Sequence, residues 1–269
     1  MIKKDTQGVT FAKGFTAAGV KAGIKKSGNL DVAVIYTKTQ AVVAGTFTQN
    51  KVAAAPVYVS KEVVATGTAH AIVANAGCAN ACTGQQGLDD AHKMAQIAAD
   101  ELGVNADDVI VGSTGVIGVN LPMDKLEAGI KDAVANLSAD GSGNAGRAII
   151  TTDTHSKSVT CEFELSGKTV RMGAIAKGSG MIRPNMATML CYITTDIAID
   201  QALLQKAVSG CVEKSFNMIS VDGDMSTNDM VIVLANGEAN NAKITEENAD
   251  YQIFFDKLMM LCTELAKQI

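Results

Sequence analysis

The sequence predicts a mixed α/β fold, because segments with helical period alternate with short apolar runs along the chain. Apolar residues make up 47% of its 269 residues, enough for a sizeable core, whereas aromatic residues are only 4%. Ala, Val, Ile, Leu and Met must therefore supply most of that core. A chain of this length forms one large domain or two modest ones.

The predicted strands are short runs rich in Val, Ile and Ala, bounded by polar residues or glycine. In chain order they cover 30–37, 41–48, 70–77, 108–115 and 229–236. Residues 159–176 predict a β-hairpin, because apolar side chains alternate along their first half and a Ser-Gly pair follows. Ser166 and Gly167 are expected at its turn.

Four segments have the period of an amphipathic helix. They cover 88–103, 123–138, 199–217 and about 246 to the last residue. Gly103 is placed to end the first, Pro122 precedes the second, and Asp200 is placed to cap the third.

Composition argues against several classes of partner. The net charge is −5 and no basic tract occurs, so nucleic acid is not an expected partner. The N-terminal lysines are not followed by an apolar signal region, and no apolar run is long enough to span a bilayer. We therefore expect a cytoplasmic protein without a membrane partner.

Metal and nucleotide motifs are incomplete. Cys78 and Cys82 form a C-x3-C pair without a second pair of ligands, so reduced thiols that pack are expected, and no metal. The segment 177–180, KGSG, lacks the Lys-Ser/Thr ending of a phosphate loop. In 221–229, VDGDMSTND, acidic residues alternate as in a calcium loop, but Thr227 stands where such a loop requires glycine. We interpret 221–229 as a turn that caps backbone groups.

One threonine suggests a nucleophile that needs no histidine. Thr188 lies within KGSGMIRPNMATML, after a polar, glycine-rich lead-in, and none of the three histidines stands in a known hydrolase motif. An N-terminal threonine can use its own α-amino group as the base, with a pKa of about 7.7–8. Because Thr188 is internal, its hydroxyl would first have to attack the Ala187 carbonyl and cut the chain there. Taken alone, the local sequence is more typical of an ordinary strand threonine.

Such chemistry also needs hydrogen-bond donors for the developing oxyanion. The segment 113–118, STGVIG, follows a predicted strand and could place a side-chain hydroxyl beside a backbone N–H. The alternative interpretation is a plain glycine-rich turn, and the local sequence favours it.

Several long motifs together resemble one family. In chain order they are NAGCANACTG, VGSTGVIG, TTDT, AKGSGMIRPNMATMLCYITTD and SFNMISVDGDMSTNDMVIVLANGEA. Their order and spacing resemble the bifunctional ornithine acetyltransferase/glutamate N-acetyltransferase family of arginine biosynthesis over essentially the whole chain. The resemblance implies a two-layer α/β sandwich-type fold of the ArgJ and DmpA-like class, distinct from the Ntn hydrolases and self-processed into two chains.

The resemblance also implies the reaction. Thr188 matches the family nucleophile and a substrate-binding position, and Ala187–Thr188 matches the self-cleavage bond. Cleavage there gives an α chain, 1–187, and a β chain, 188–269, which assemble as α2β2 in the family. N-acetylornithine donates its acetyl group to the threonine, ornithine leaves, and glutamate takes the acetyl group. No cofactor is expected, although some members accept acetyl-CoA as the donor.

Further site residues follow from the same motifs. Thr114 and Gly115 match the oxyanion-hole pair. Lys177 and Thr151 match substrate-binding positions, with Thr152 as the alternative within TTDT. Lys177 suits an α-carboxylate, and its other interpretation is a solvated loop lysine.

The family normally continues beyond the point at which this chain stops, so we expect a C-terminal part to be missing, together with some substrate contacts. Two other functions stay open. One is a self-cleaving amidase or aminopeptidase of similar fold, with water in place of the amine acceptor. The other is an inactive, truncated remnant.

Overall fold

A computed structural model describes residues 2–3, 7–181 and 189–269. Ala187 and Thr188, the predicted cleavage bond and nucleophile, lie outside the described residues, so the structure tests their surroundings and not their own conformation.

Nine strands and six α-helices occur in the described part of the chain. The strands are β1 (Ile2–Lys3), β2 (Phe15–Val20), β3 (Val32–Phe47), β4 (Thr68–Cys78), β5 (Val109–Val116), β6 (Lys157–Leu165), β7 (Lys168–Lys177), β8 (Leu190–Thr195) and β9 (Met230–Ala235). The helices are α1 (Ala55–Thr66), α2 (Gly84–Leu102), α3 (Met123–Ala135), α4 (Ser142–Ile149), α5 (Gln201–Glu213) and α6 (Ala249–Gln268).

The strands form one mixed sheet in the order β1-β6-β7-β8-β9-β3-β4-β5, with β2 also paired to β3. The long strand β3 belongs to two halves of this sheet, because its first part pairs with β2 and its second part with β9. A register shift between Tyr36 and Ala41 in its pairing with β4 separates those two parts.

The two halves of the sheet face each other across an apolar layer. A Cβ atom added to Gly112 of β5 would collide with the hydroxyl group of Tyr192 on β8, which shows how closely the halves approach. Alternate residues of β3, β4, β8 and β9 bury their side chains in this layer, and α4 contributes Ala145, Ala148 and Ile149.

Helices cover the outer faces of both halves. Helices α2 and α3 pack on β4 and β5 through one apolar cluster, and α5 and α6 pack on β6–β9 through another. The arrangement confirms the predicted α/β sandwich-type fold, with the two facing halves of the sheet inside and helices on each outer side.

Most predicted elements are confirmed, with four differences. The predicted strands 30–37 and 41–48 are one continuous strand, β3. Helix α2 begins at Gly84, four residues before the predicted start, and Asp200 precedes α5 but binds Lys243 instead of capping the helix with its side chain. The predictions also omit two helices and three strands, namely α1, α4, β1, β2 and β8. The hairpin 159–176 is confirmed as β6 and β7, with Ser166 and Gly167 at its turn.

Candidate active site

Two predicted site residues from opposite halves of the sheet meet in the interior. Lys177 ends β7, Thr114 lies near the end of β5, and the lysine Nζ donates a hydrogen bond to the threonine Oγ1 over 3.2 Å. Lys177 is only 3% exposed and Thr114 only 6%. The alternative of a solvated loop lysine is therefore wrong.

Gly115 follows Thr114 in a conformation that strongly favours glycine. Its φ is +133°, and an added Cβ would collide with the backbone of Gly77 in the neighbouring strand β4. Residues 113–116 are the end of strand β5 and not the plain turn of the alternative interpretation. Ser113 strengthens this strand pair by donating to Asn75 Oδ1 over 2.6 Å. The close approach of β4 and β5 thus fixes the backbone beside the Thr114 hydroxyl.

Asp153 binds two site loops together. One carboxylate oxygen accepts hydrogen bonds from Lys157 Nζ at 2.6 Å and from the amide of Gly178 at 2.7 Å. The other accepts the amide of Thr151 at 3.2 Å. Both side chains of the Asp153–Lys157 ion pair are buried. The TTDT segment is therefore held against the residue that directly follows Lys177.

The two candidate threonines of this segment differ in their surroundings. Thr151 is half-buried, whereas Thr152 is exposed and its hydroxyl lies 2.8 Å from the Ser179 hydroxyl. Both therefore stand on the loop that Asp153 joins to the end of β7.

Asp229 holds the start of β8, directly after the predicted nucleophile in the sequence. Its side chain is buried, and its Oδ1 accepts the amide of Met189 over 2.9 Å. The next residue, Met230, donates its amide to the Met189 carbonyl over 3.0 Å. Both backbone polar groups of Met189 are thus fixed by consecutive residues at the start of β9.

The ionisable groups of the site have shifted pKa values with identifiable causes. Burial lowers the pKa of Lys177, and the carboxylates of Asp153 and Asp229 oppose that effect. Burial raises the pKa of Asp229 to about 8, although the Met189 amide, the Ser226 hydroxyl and the charge of Lys177 act in the other direction. For Asp153 burial also acts upward, but the hydrogen bonds of Lys157 and Gly178 and the charge of Lys177 outweigh it and lower the pKa.

The segment 221–229 closes one side of the site as the predicted capping turn. Asp222 accepts the amide of Met181 over 2.6 Å, and the Ser226 hydroxyl accepts the amide of Asn228 over 3.1 Å. Asn228 in turn donates to the carbonyl of Ala79, which joins this turn to the NAGCANACTG loop.

The described residues lack a metal-binding cluster, a disulfide bond and a membrane-spanning helix. They contain no group of three or more His, Cys, Asp and Glu side chains that could hold a metal ion. The six cysteines are free thiols, and Cys82 alone among them is exposed. No described helix is long and apolar enough to cross a bilayer.

The sequence predictions missed three charged residues of the site. Asp153 and Lys157 lie within and just after TTDT, and Asp229 opens a predicted strand. The sequence offered one clue to the two carboxylates, since Asp153 lies within TTDT and Asp229 ends VDGDMSTND. Their burial depends on contacts between distant segments, which the local sequence does not show.

A protein-family model described as "ArgJ family" matches residues 16–269. The chain belongs to the ArgJ family. Among its relatives, the "Arginine biosynthesis bifunctional protein ArgJ" of Symbiobacterium thermophilum is 51% identical over 264 residues, which cover 97% of this chain and 66% of that protein. The protein of the same name from Bacillus subtilis is 47% identical over 269 residues, covering 100% of this chain and 66% of that protein. This ArgJ-family chain thus spans about two thirds of the length of the curated relatives it matches.

Solved structures agree with the family assignment. The ornithine acetyltransferase of Mycobacterium tuberculosis, solved in complex with ornithine, is 38% identical with a TM-score of 0.63 and covers 71% of this ArgJ-family chain and 99% of that chain. An l-aminopeptidase d-ala-esterase/amidase of Ochrobactrum anthropi is 12% identical with a TM-score of 0.59, over 98% of this chain and 85% of that one. The second likeness concerns the fold alone. That protein is described as a new variant among the Ntn hydrolase fold. The fold of this chain is therefore similar to a variant of the Ntn hydrolase fold, and the two folds are less distinct than expected.

Proposed function

We propose that this ArgJ-family chain belongs to an acetyltransferase that moves an acetyl group from N2-acetylornithine to glutamate through an acetyl-threonine on Thr188. The observation that supports it most directly is the buried hydrogen bond from Lys177 to Thr114. Because the ammonium group can only donate, the Thr114 oxygen is the acceptor and its own proton is left to donate elsewhere.

The first reaction in this proposal is self-cleavage. The Thr188 hydroxyl attacks the Ala187 carbonyl, the peptide becomes an ester, and water hydrolyses that ester. The new α-amino group of Thr188 then serves as the base, since its pKa of about 7.7–8 lies near neutral pH. Cleavage produces chains 1–187 and 188–269.

Acetyl transfer then follows in two steps. The Thr188 hydroxyl attacks the acetyl carbonyl of N-acetylornithine while the α-amine takes its proton and passes it to the departing ornithine amine. The amine of glutamate next attacks the acetyl ester, forms N-acetylglutamate and restores the hydroxyl. Thr114 and Gly115 donate hydrogen bonds to the oxyanion in both steps.

Substrate binding is assigned to Lys177 and to Thr151 or Thr152. A cationic side chain in a buried setting interacts strongly with an α-carboxylate, because the local dielectric is low. Burial already lowers the pKa of Lys177, so a carboxylate beside it would stabilise its charged form. The loop that carries both threonines is fixed to Gly178 through Asp153.

The coverage of solved relatives supports the two-chain organisation. The ornithine acetyltransferase chain matches 71% of this chain with 99% of its own length, and a Bacillus halodurans ArgJ chain matches 70% with 98% of its own. Those shares are close to the 187 of 269 residues that the proposed cleavage assigns to the first chain. Assembly as α2β2, a cytoplasmic location and acetyl-CoA as a second donor are part of the same proposal, which needs no resident cofactor.

Intact-mass analysis of the purified chain tests the cleavage. We expect two fragments that divide at Ala187–Thr188 and together account for 27.9 kDa plus one water. Thr188→Ala should remain a single chain, whereas Thr188→Ser keeps a hydroxyl and should still cleave at a different rate. Cleavage of Thr188→Ala at the same bond would refute the nucleophile.

Ornithine release from N-acetylornithine tests the transfer. The chain is assayed alone and together with the segment that follows the matched region in the Bacillus subtilis relative, because substrate contacts from that region are expected. Ornithine release beyond one equivalent per site that requires glutamate, with N-acetylglutamate as the second product, supports the transferase. Equal acetate release with and without glutamate would favour the amidase alternative.

A further inference from the structure

Asp229 is a buried ionisable residue beside the site that the proposed mechanism leaves unused. We propose that Asp229 is a positioning residue that fixes the peptide unit between residues 188 and 189 for self-cleavage and acetyl transfer. This inference rests on the proposed function for the identity of the nucleophile, but the contacts that carry it involve described residues alone.

The first of these contacts is made to the amide nitrogen of Met189, the residue that follows the proposed nucleophile in the chain. The Met189 amide nitrogen that Asp229 binds at 2.9 Å is bonded to the carbonyl carbon of residue 188, two covalent bonds from its Cα. The other end of Met189 is held by Met230, and the Asp229 carbonyl itself accepts the amide of Thr48 over 2.9 Å. The carboxyl group therefore holds the amide nitrogen through which residue 189 is joined to residue 188.

The second observation concerns the other carboxyl oxygen. Asp229 Oδ2 is buried and makes no direct hydrogen bond among the described residues, although the neighbouring Ser226 hydroxyl favours the charged carboxylate. A buried polar atom left without a partner destabilises the fold, so such atoms are rare where function does not require them. A further hydroxyl group or a protonated amine beside this oxygen would complete its hydrogen bonding.

The protonation state of Asp229, which nearby charges influence, changes within the pH range of the assays. Lys177 is the cation that acts on it, and Lys177 is in turn influenced by Asp153 and Lys157. With a pKa of about 8, the carboxyl group is largely protonated at pH 7 and becomes an acceptor at both oxygens as the pH rises. Rates that depend on Asp229 should therefore change between pH 7 and 9.

A set of three variants tests the role. Asp229→Asn keeps the shape and one oxygen acceptor but cannot ionise, and Asp229→Ala removes the contact. Asp196→Asn is the matched control, because Asp196 is also buried and also accepts backbone amides, from Arg171 and Lys13, but lies at the other end of β8. Hydrogen exchange of the Met189 amide is followed by NMR with 15N-methionine, and cleavage at 187/188 is timed from pH 6 to 9.

We expect Asp229→Ala to lose protection of the Met189 amide and to cleave about 100-fold more slowly, the size of effect that a misplacement of about 1 Å produces. Asp229→Asn should keep the protection, cleave more slowly, and lose the change of rate between pH 7 and 9. Asp196→Asn should match the parent in both measurements. A purely structural role would lower stability without altering the pH profile.

Two results would overturn the inference. One is a Met189 amide in Asp229→Ala that is as protected as in the parent. The other is parental cleavage rates with a parental pH profile in both Asp229 variants. If the parent chain itself does not cleave at 187/188, the proposed function fails, and the exchange measurement still decides whether Asp229 positions this peptide unit.

Discussion

The two ends of the strand pair β8 and β9 are both polar and buried, but they satisfy their polar groups differently. At the end away from the site, Asp196 accepts amides with both oxygens, from Arg171 at 2.7 Å and from Lys13 at 3.1 Å. Asn236 follows β9 there and donates to the Lys13 carbonyl over 2.9 Å. At the site end, Asp229 accepts one backbone amide with Oδ1, and its Oδ2 makes no direct hydrogen bond, although the Ser226 hydroxyl favours the charged carboxylate.

Charge follows the same division. The site end holds the buried Asp153–Lys157 pair and, beside it, the buried Lys177. Farther along the hairpin of β6 and β7, away from the site, Arg171 pairs with Glu162 on the surface. The site end therefore holds a buried ion pair and a second buried cation, whereas the opposite end buries one carboxyl group, Asp196, and keeps its ion pair on the surface. Desolvated charge is costly unless it is paired, so the site end is where the proposed chemistry is expected.

The largest expected effect comes from breaking the buried ion pair. Lys157→Met leaves the Asp153 carboxylate buried without its cation and should lower the free energy of unfolding by about 3–5 kcal/mol. Urea unfolding at pH 7 measures this. Glu162→Gln removes the surface pair with Arg171, whose side chains are 48% and 37% exposed, and should cost less than about 1 kcal/mol. Equal losses in the two variants would abolish the contrast between the ends.

A second effect of similar size concerns rate instead of stability. Thr114→Ala removes the proposed oxyanion donor and should slow acetyl transfer by roughly 10²–10³-fold, the usual cost of one such donor. Thr114→Ser keeps the hydroxyl and is the matched control, with a rate near that of the parent. A Thr114→Ala rate within threefold of the parent would show that the hydroxyl accepts the Lys177 hydrogen bond and does nothing more.

These site contacts show which parts of the site could be predicted from the sequence. Thr114 and Lys177 stand in motifs whose glycines and polar residues break the surrounding apolar pattern, and the structure brings them together. Asp153 and Asp229 make no local pattern, because their partners are backbone amides of other segments. Burial of a carboxylate is a tertiary property, and a sequence window does not contain the donors that make it tolerable.

The missed helices have a related explanation. Helix α1 is rich in valine, a residue more typical of strands, yet Pro56 stands in its first turn and Ser60 faces β5. The Ser60 hydroxyl donates to the Val111 carbonyl at 2.6 Å and accepts the Val111 amide at 3.0 Å, so the helix completes the hydrogen bonding of an edge strand. Tertiary contact thus overrides propensity here. Helix α4 is short and glycine-rich, and its burial between the sheet halves likewise has no local signal.

The pH dependence of stability provides a third test of the difference between Asp229 and Asp196 at the two ends of β8 and β9. The folded-state pKa of Asp229 is about 8, above the unfolded value of about 3.9, so the folded protein retains a proton that the unfolded chain has lost. This contribution is fully present below pH 4 and is lost as the pH rises toward 8. Between pH 5 and 8 the parent Tm should fall more steeply than that of Asp229→Asn.

Asp196→Asn is the comparison for that measurement. Burial also raises the pKa of Asp196, but the amides of Arg171 and Lys13 oppose it at both oxygens. Asp196→Asn should therefore flatten the Tm profile less than Asp229→Asn does. Parallel Tm profiles for the parent and Asp229→Asn would show that the carboxyl group titrates normally and that the two ends are electrostatically alike.

The smallest expected effect separates satisfied from unsatisfied hydroxyl groups within β8 itself. Tyr192 is fully buried, and its hydroxyl has no hydrogen-bond partner in the described part of the chain. Thr194 points to the same face two residues later, and its hydroxyl donates to the Val9 carbonyl over 2.7 Å. Tyr192→Phe removes an unpaired polar atom, so the free energy of unfolding should stay constant or rise by up to about 1 kcal/mol. Thr194→Val leaves the Val9 carbonyl without this donor and should cost about 1–2 kcal/mol in the same urea titration.

A loss above 1 kcal/mol in Tyr192→Phe would reveal a partner for the Tyr192 hydroxyl. The apolar layer between the sheet halves would then hold a polar contact on the site side as well.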